Sequence, residues 1–262
     1  MISRKTGLAF LAGVTLALVI IDLFLPRIPQ PLSYHHFADQ RESLGIPNFW
    51  NVISNLPFAI AGAIGLVWLL RLRGKEIAQH FADTRERLPY AVLFAGLILT
   101  AFGSGYYHLH PDNARLVWDR LPMTLVFMSL IAALIMDRLS LRAGLWALPL
   151  LLIIGAASVA QWYWSEVHGV GDLRFYATVQ AYAVIFLLVM LLFPSHYTRG
   201  RDLLTVAGLY VVAKLLETFD RQVFSALRGT LSGHTLKHLA AAMAGYWIVR
   251  MVQQRQVTGK FC

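Results

Sequence analysis

Apolar side chains in this sequence are gathered into eight blocks of about 20 residues, at 7–25, 49–70, 90–108, 117–136, 144–162, 175–193, 203–219 and 234–252. An α-helix rises about 1.5 Å per residue, so each block is near the length that crosses about 30 Å of hydrocarbon. The runs are continuously apolar rather than alternating, which argues against barrel strands. Composition agrees: 57% of the 262 residues are hydrophobic and 14% charged. An average soluble domain is about 45–50% apolar and about 25% charged. A water-soluble globule, a disordered chain, a collagen and a disulfide scaffold are excluded. The lone cysteine, Cys262, allows neither an intrachain disulfide nor a thiolate metal cluster. The expectation is an all-α polytopic membrane helix bundle. Most connections are short, so the helices form one bundle; the longest stretch outside the blocks is 26–48.

The net charge of +9 has its explanation in placement. With the N-terminus inside, beside Arg4 and Lys5, the inner segments carry 14 of the 23 basic residues and the outer ends carry 8. That bias predicts that both termini face the cytoplasm, by the positive-inside rule. The charge marks a cytoplasmic face, and no nucleic-acid partner is implied. The first block also reads as a signal peptide, with its basic start and apolar middle. Its length, its Asp22 and the lack of a small-residue cleavage site before Pro26 favour a retained helix.

The histidines show the opposite bias. His35, His36, His108, His110, His168, His234 and His238 fall on the outer side, and only His80 and His196 on the inner. His234 and His238 are four apart, which puts both imidazoles on one helical face. Such a pair can serve one metal; the plainer reading is two interfacial histidines sharing a face. Ser104 and His108 are again four apart, at the outer end of their block. Eleven residues after His108, beyond the turn signal Pro111-Asp112-Asn113, comes Asp119. Its plainer reading is an ion pair with Arg115 or Arg120, and that of Ser104 is a small helix-packing residue. Three histidines, a carboxylate and a hydroxyl are thus expected at one membrane depth. Three protein ligands with an open position is the pattern of a catalytic zinc site. His110 points away from the face of His108 and is the spare candidate. Lys214, Glu217, Asp220 and Arg221 form a polar strip on the seventh block. Its plain reading is a Lys214–Glu217 pair, and its sharper one puts Asp220 in the wall of a head-group pocket.

At these residues the sequence resembles the alkaline ceramidase family, within the seven-helix membrane hydrolases that include the adiponectin-type receptors. The resemblance is carried by "FWNVISNLP" (49–57), "GSGYYH" with Ser104 and His108, "WDRLPM" with Asp119, and "GHTLKH" with His234 and His238. It runs from about Phe37 to the C-terminus. It implies a seven-helix core at 31–262 preceded by one extra transmembrane helix at 1–30. It also implies a zinc amidase that cleaves the N-acyl bond of ceramide-like lipids to a fatty acid and a sphingoid base. His108, His234 and His238 would then bind Zn2+, Asp119 would take a proton from the attacking water, and Ser104 would stabilise the oxyanion. Eukaryotic members carry an acidic Ca2+-binding cluster just before the first core helix. Here Asn48 replaces its glutamate and the acidic run has no clear counterpart, which argues against calcium dependence. Asp39, Glu42 and Asn48 remain as candidate oxygen ligands.

Two other classes compete. One is a non-enzymatic receptor or transporter with a structural zinc. The other is a haem protein with histidine axial ligands, for which a three-histidine set with Asp and Ser is more than ligation needs.

Overall fold

Every one of the eight apolar blocks is helical. The computed structural model describes residues 4–258; Lys260 and Cys262 lie outside the described residues. In chain order the helices are α1 (Arg4–Phe24), α2 (Phe49–Ile53), α3 (Leu56–Arg71), α4 (Gly74–His80), α5 (Arg87–Leu109), α6 (Asn113–Arg138), α7 (Leu141–Val167), α8 (Arg174–Met190), α9 (Asp202–Thr218), α10 (Asp220–Ala226) and α11 (Gly233–Gln254). Five segments are long and apolar enough to cross a membrane: Thr6–Phe24, Phe49–Arg71, Thr84–Leu109, Asn113–Arg138 and Leu141–Val167. The shorter α8 is also apolar.

Local chemistry sets the starts. The side chains of Asp112, Ser140 and Ser232 accept hydrogen bonds from the backbone N–H of Arg115, Ala143 and Thr235, capping α6, α7 and α11. The block 49–70 differs from expectation. It is broken at Ser54-Asn55, with Pro57 opening the second piece, and a helix start is where proline is tolerated.

Helices adjacent in sequence pack together. α3 lies against α5, α5 against α6, α6 against α7, α7 against α8, α8 against α9, α9 against α11, and α11 returns to α3. Of the five long apolar segments, α6 is the most enclosed, with 67% of its apolar window buried, and α1 the least, with 6%. α1 rests on α8, where Thr178 donates to Asp22 and Thr15 meets the Tyr182 hydroxyl. Its outward face, including Leu16, Ile20 and Leu23, is exposed, as a lipid-facing surface would be.

Polar side chains collect at the two ends of the bundle. At one end Arg255, 1% exposed, donates to Asp137 at 2.7 Å and to the Tyr90 hydroxyl at 2.9 Å, with its guanidinium stacked on Tyr197. His80 and His196 belong to this end, through the Arg255 carbonyl and the Asp137 carbonyl respectively. At the other end the connection 26–48 folds down between the helices. His35 there sits between the Tyr107 hydroxyl at 2.8 Å and Asn113 Oδ1 at 2.9 Å.

Candidate metal centre

His108, His234 and His238 converge on one point. One ring nitrogen from each lies within 4.8 Å of the others, and all three side chains are buried. Among the described residues this is the one group of three or more histidine, cysteine or acidic side chains arranged to hold a metal. The Nε2 atoms of His108 and His234 stand 3.4 Å apart. A tetrahedral site with Zn–N bonds of about 2.0–2.1 Å separates its ligand nitrogens by about 3.3–3.4 Å. The donor set therefore suits zinc, although these residues alone do not set the identity of the ion. Among the described residues no salt bridge to these rings is formed, and three imidazoles face one another, which is the arrangement a cation repays.

Each ring is positioned by a different element. His108 occupies the last turn of α5, where its backbone carbonyl has no partner within the helix. Asn48 Nδ2 donates to it at 2.9 Å, and Asn48 adopts a left-handed backbone, φ 48°, to reach it. His234 opens α11, and its free N–H donates to Asp220 Oδ1 at 2.7 Å. The other oxygen, Oδ2, accepts from the Ala38 N–H at 2.8 Å. A carboxylate at a helix N-terminus is favourable for the same reason that acidic caps are. His238 sits one turn later, with its Nδ1 2.8 Å from Ser54 Oγ. A hydrogen bond on the far nitrogen fixes ring orientation and leaves Nε2 for a metal. Ser54 in turn donates to the Asn51 carbonyl, and Asn51 is wholly buried, its Oδ1 accepting from Thr235. Phe37 closes the top, with ring centroids 4.7 Å from His108 and 4.4 Å from His234.

Below the histidines lies a cavity of about 340 Å³. Ser104, Asp119 and His238 line its polar end, while Leu97, Val126, Leu130 and Ile248 line its apolar part. Ser104 interacts with the Asp119 carboxylate. The expected ion pair of Asp119 is absent among the described residues. Arg115 pairs with Asp112 instead, and Arg120 turns to Gln30. His110 is exposed, away from the triad.

Two expectations are corrected. Asp220 is not part of the cavity wall, because both of its oxygens are used to hold α11 and the 26–48 connection together. Asp39, Glu42 and Asn48 do not assemble an oxygen site for Ca2+. Both oxygens of Asp39 are engaged by Arg41, at 2.8 and 2.6 Å, and Asn48 is oriented by its Nδ2 donating to the His108 carbonyl. The Lys214–Glu217 pair forms and acquires a third member, Lys237, which donates to Glu217 Oε1 at 2.5 Å; Tyr34 donates to the same oxygen at 3.2 Å.

Sequence reasoning missed Ser54, Asn51, Phe37 and Lys237 as members of this region. Asn51 and Ser54 stand within "FWNVISNLP" and Lys237 within "GHTLKH", so the signal available was their presence in those segments. The chain matches no family model and no curated protein. Fold and site together define an all-helical protein with five helices long and apolar enough to cross a membrane and a buried three-histidine group able to hold a metal ion.

Proposed function

We propose that the protein is a zinc-dependent integral membrane amidase, hydrolysing the N-acyl bond of ceramide-like lipids to a fatty acid and a sphingoid base. The observation that carries this reading is the opening of Ser104, Asp119 and His238 onto one cavity that continues along Leu97, Val126, Leu130 and Ile248, with Arg120, Lys214, Glu217 and Lys237 as its other charged lining residues. A purely structural metal site has no need of an adjoining chamber, a free carboxylate and a hydroxyl. Zinc held by His108, His234 and His238 would supply Lewis-acid activation of water and of the amide carbonyl.

The side chains supply the rest. Asp119 has no ion-pair partner among the described residues; it accepts the proton of the attacking water, then delivers it to the departing amine nitrogen. Ser104, one helical turn from His108, donates to the oxygen that becomes negative as the carbonyl carbon turns tetrahedral. The acyl chain lies along Leu97, Val126, Leu130 and Ile248, where its methylene groups leave water. Ser54 and Asn48 hold the histidines in place without touching the lipid.

In this reading the helices from α2 to α11 form a seven-span core, with α1 as an additional span outside it. Both termini face the cytoplasm and the histidine end opens to the outer side, which the basic-residue bias supports. The test is metal analysis of purified protein, together with incubation with N-acyl lipids with and without a chelator. The expected result is about one zinc per chain, lost in His234→Ala and His238→Ala, and chelator-sensitive release of fatty acid. Zinc retained with no lipid cleaved would leave a receptor or transporter with a structural metal. Unchanged zinc in both histidine variants would overturn the ligand set.

A further inference from the structure

Among the described residues Arg120 has no counter-charge. Its residue is 5% exposed, and no carboxylate lies within ion-pair distance of it among the described residues. Nη2 donates to the neutral Gln30 Oε1 at 2.6 Å, and the guanidinium lies 4.1 Å from the Trp162 ring centroid and 4.7 Å from that of Tyr176. Nη1 is buried and has no hydrogen-bond partner. Asp119, its chain neighbour, feels the charge but does not pair with it. Arginine cannot shed its proton to escape this situation. A buried charge left without a partner is strongly disfavoured, and aromatic faces offset only part of that cost.

The unpartnered group lines the same cavity as Ser104, Asp119 and His238. Of the other cations there, Lys214 and Lys237 are already committed to Glu217. Gln30 is itself anchored, its N–H donating to Glu166 at 3.0 Å, so the guanidinium is held in a fixed pose with Nη1 unpaired. A guanidinium edge matches the oxygens of a carboxylate or a phosphate.

We propose that Arg120 receives an anionic oxygen group, carboxylate or phosphate, on the head of the lipid, so that among ceramide-like N-acyl lipids the enzyme prefers those that carry an anionic head. This rests on the amidase reading above. The anion is recognised and not transformed. Water adds to the amide carbonyl, the C–N bond breaks, and the released amine takes the proton and leaves with its anionic head unchanged.

The experiment uses the full chain loaded with zinc in an uncharged detergent and three probes of equal acyl length. N-palmitoylglycine carries a carboxylate, N-palmitoyl phosphoethanolamine a phosphate, and N-palmitoylethanolamine neither. Hydrolysis and equilibrium binding are both measured, together with zinc content. The expected result is a preference of roughly 10- to 100-fold for one or both anionic probes, the range of a hydrogen bond to a charged group. The comparison between the two anionic probes identifies the group. Arg120→Gln should erase the preference with zinc retained, and Arg120→Lys should restore part of it. Equal handling of all three probes by the parent protein overturns the proposal, whatever the variants do. So does an anion preference that persists in zinc-loaded Arg120→Gln. Arg120-dependent binding of an anionic probe without hydrolysis would sink the amidase reading while leaving the anion subsite standing.

Discussion

Replacing Gly103 by alanine tests how the two halves of the site are held together. Gly103 lies on α5 one residue before Ser104, and it faces Trp118 on α6, one residue before Asp119. A Cβ at Gly103 would stand 1.9 Å from the Trp118 carbonyl oxygen and 2.8 Å from its carbonyl carbon. That carbonyl is free to face α5 because Pro122, four residues on, has no N–H to bind it. The clash is with backbone, so no side-chain rotation relieves it. Real Cβ contacts stay beyond 3.0 Å, and the two helices must therefore part by roughly 1 Å. Overpacking of this kind costs about 1–3 kcal/mol. At about 2–4 °C per kcal/mol for a chain of this size, the melting temperature should fall by several degrees. A displacement of about 1 Å between catalytic groups costs on the order of 100-fold in rate, so fatty-acid release should fall far more than stability. Gly105 is the control, since a Cβ there meets nothing within 4 Å. Thermal melting in detergent, zinc content and hydrolysis would be compared for Gly103→Ala and Gly105→Ala. If the two variants melt and react alike, close contact of α5 with α6 does not position Ser104 against Asp119.

Asp119→Asn should leave zinc content and melting unchanged while lowering hydrolysis by about 10²–10⁴-fold; Ser104→Ala should cost somewhat less, because water can replace a hydroxyl donor. Full activity in Asp119→Asn would remove it from the role of base. For topology, a cysteine at the exposed Ala114, with Cys262 replaced by serine, should react with an impermeant thiol reagent in intact cells, and one at the exposed Lys75 should not; the reverse pattern would invert the orientation. His35 lies in the 26–48 connection, and burial holds its imidazole below the usual value despite the hydrogen bond to Asn113. A histidine with a depressed folded value contributes fully above its unfolded pKa of about 6.5 and loses that contribution as pH falls below it. The parent should therefore lose more stability between pH 7 and pH 5 than His35→Gln does, and parallel pH–melting curves would refute this.

The limits of the sequence as a guide follow from what each kind of signal encodes. Block length depends only on composition along the chain, so the helical character of the eight blocks was legible. Spacing of four residues is local too, and it correctly put His234 with His238 on one face of α11. The meeting of α5 with α11 is a tertiary fact; the sequence offered it only through shared depth and the resemblance, and the 3.4 Å approach of His108 to His234 depends on packing. Hydrogen-bonding partners were the least legible. Asp220 reads as a polar residue near the outer end of a helix, and nothing local reveals that its two oxygens serve the N–H groups of Ala38 and His234, 182 and 14 residues away. Arg120 shows the same limit from the other direction. In the sequence it has one acidic neighbour, Asp119, and looks paired with it. On a helix, adjacent residues diverge by about 100°, and here Asp119 turns towards Ser104 while Arg120 turns towards Gln30 and Trp162. A charge that is apparently matched along the chain is thereby left unmatched in space.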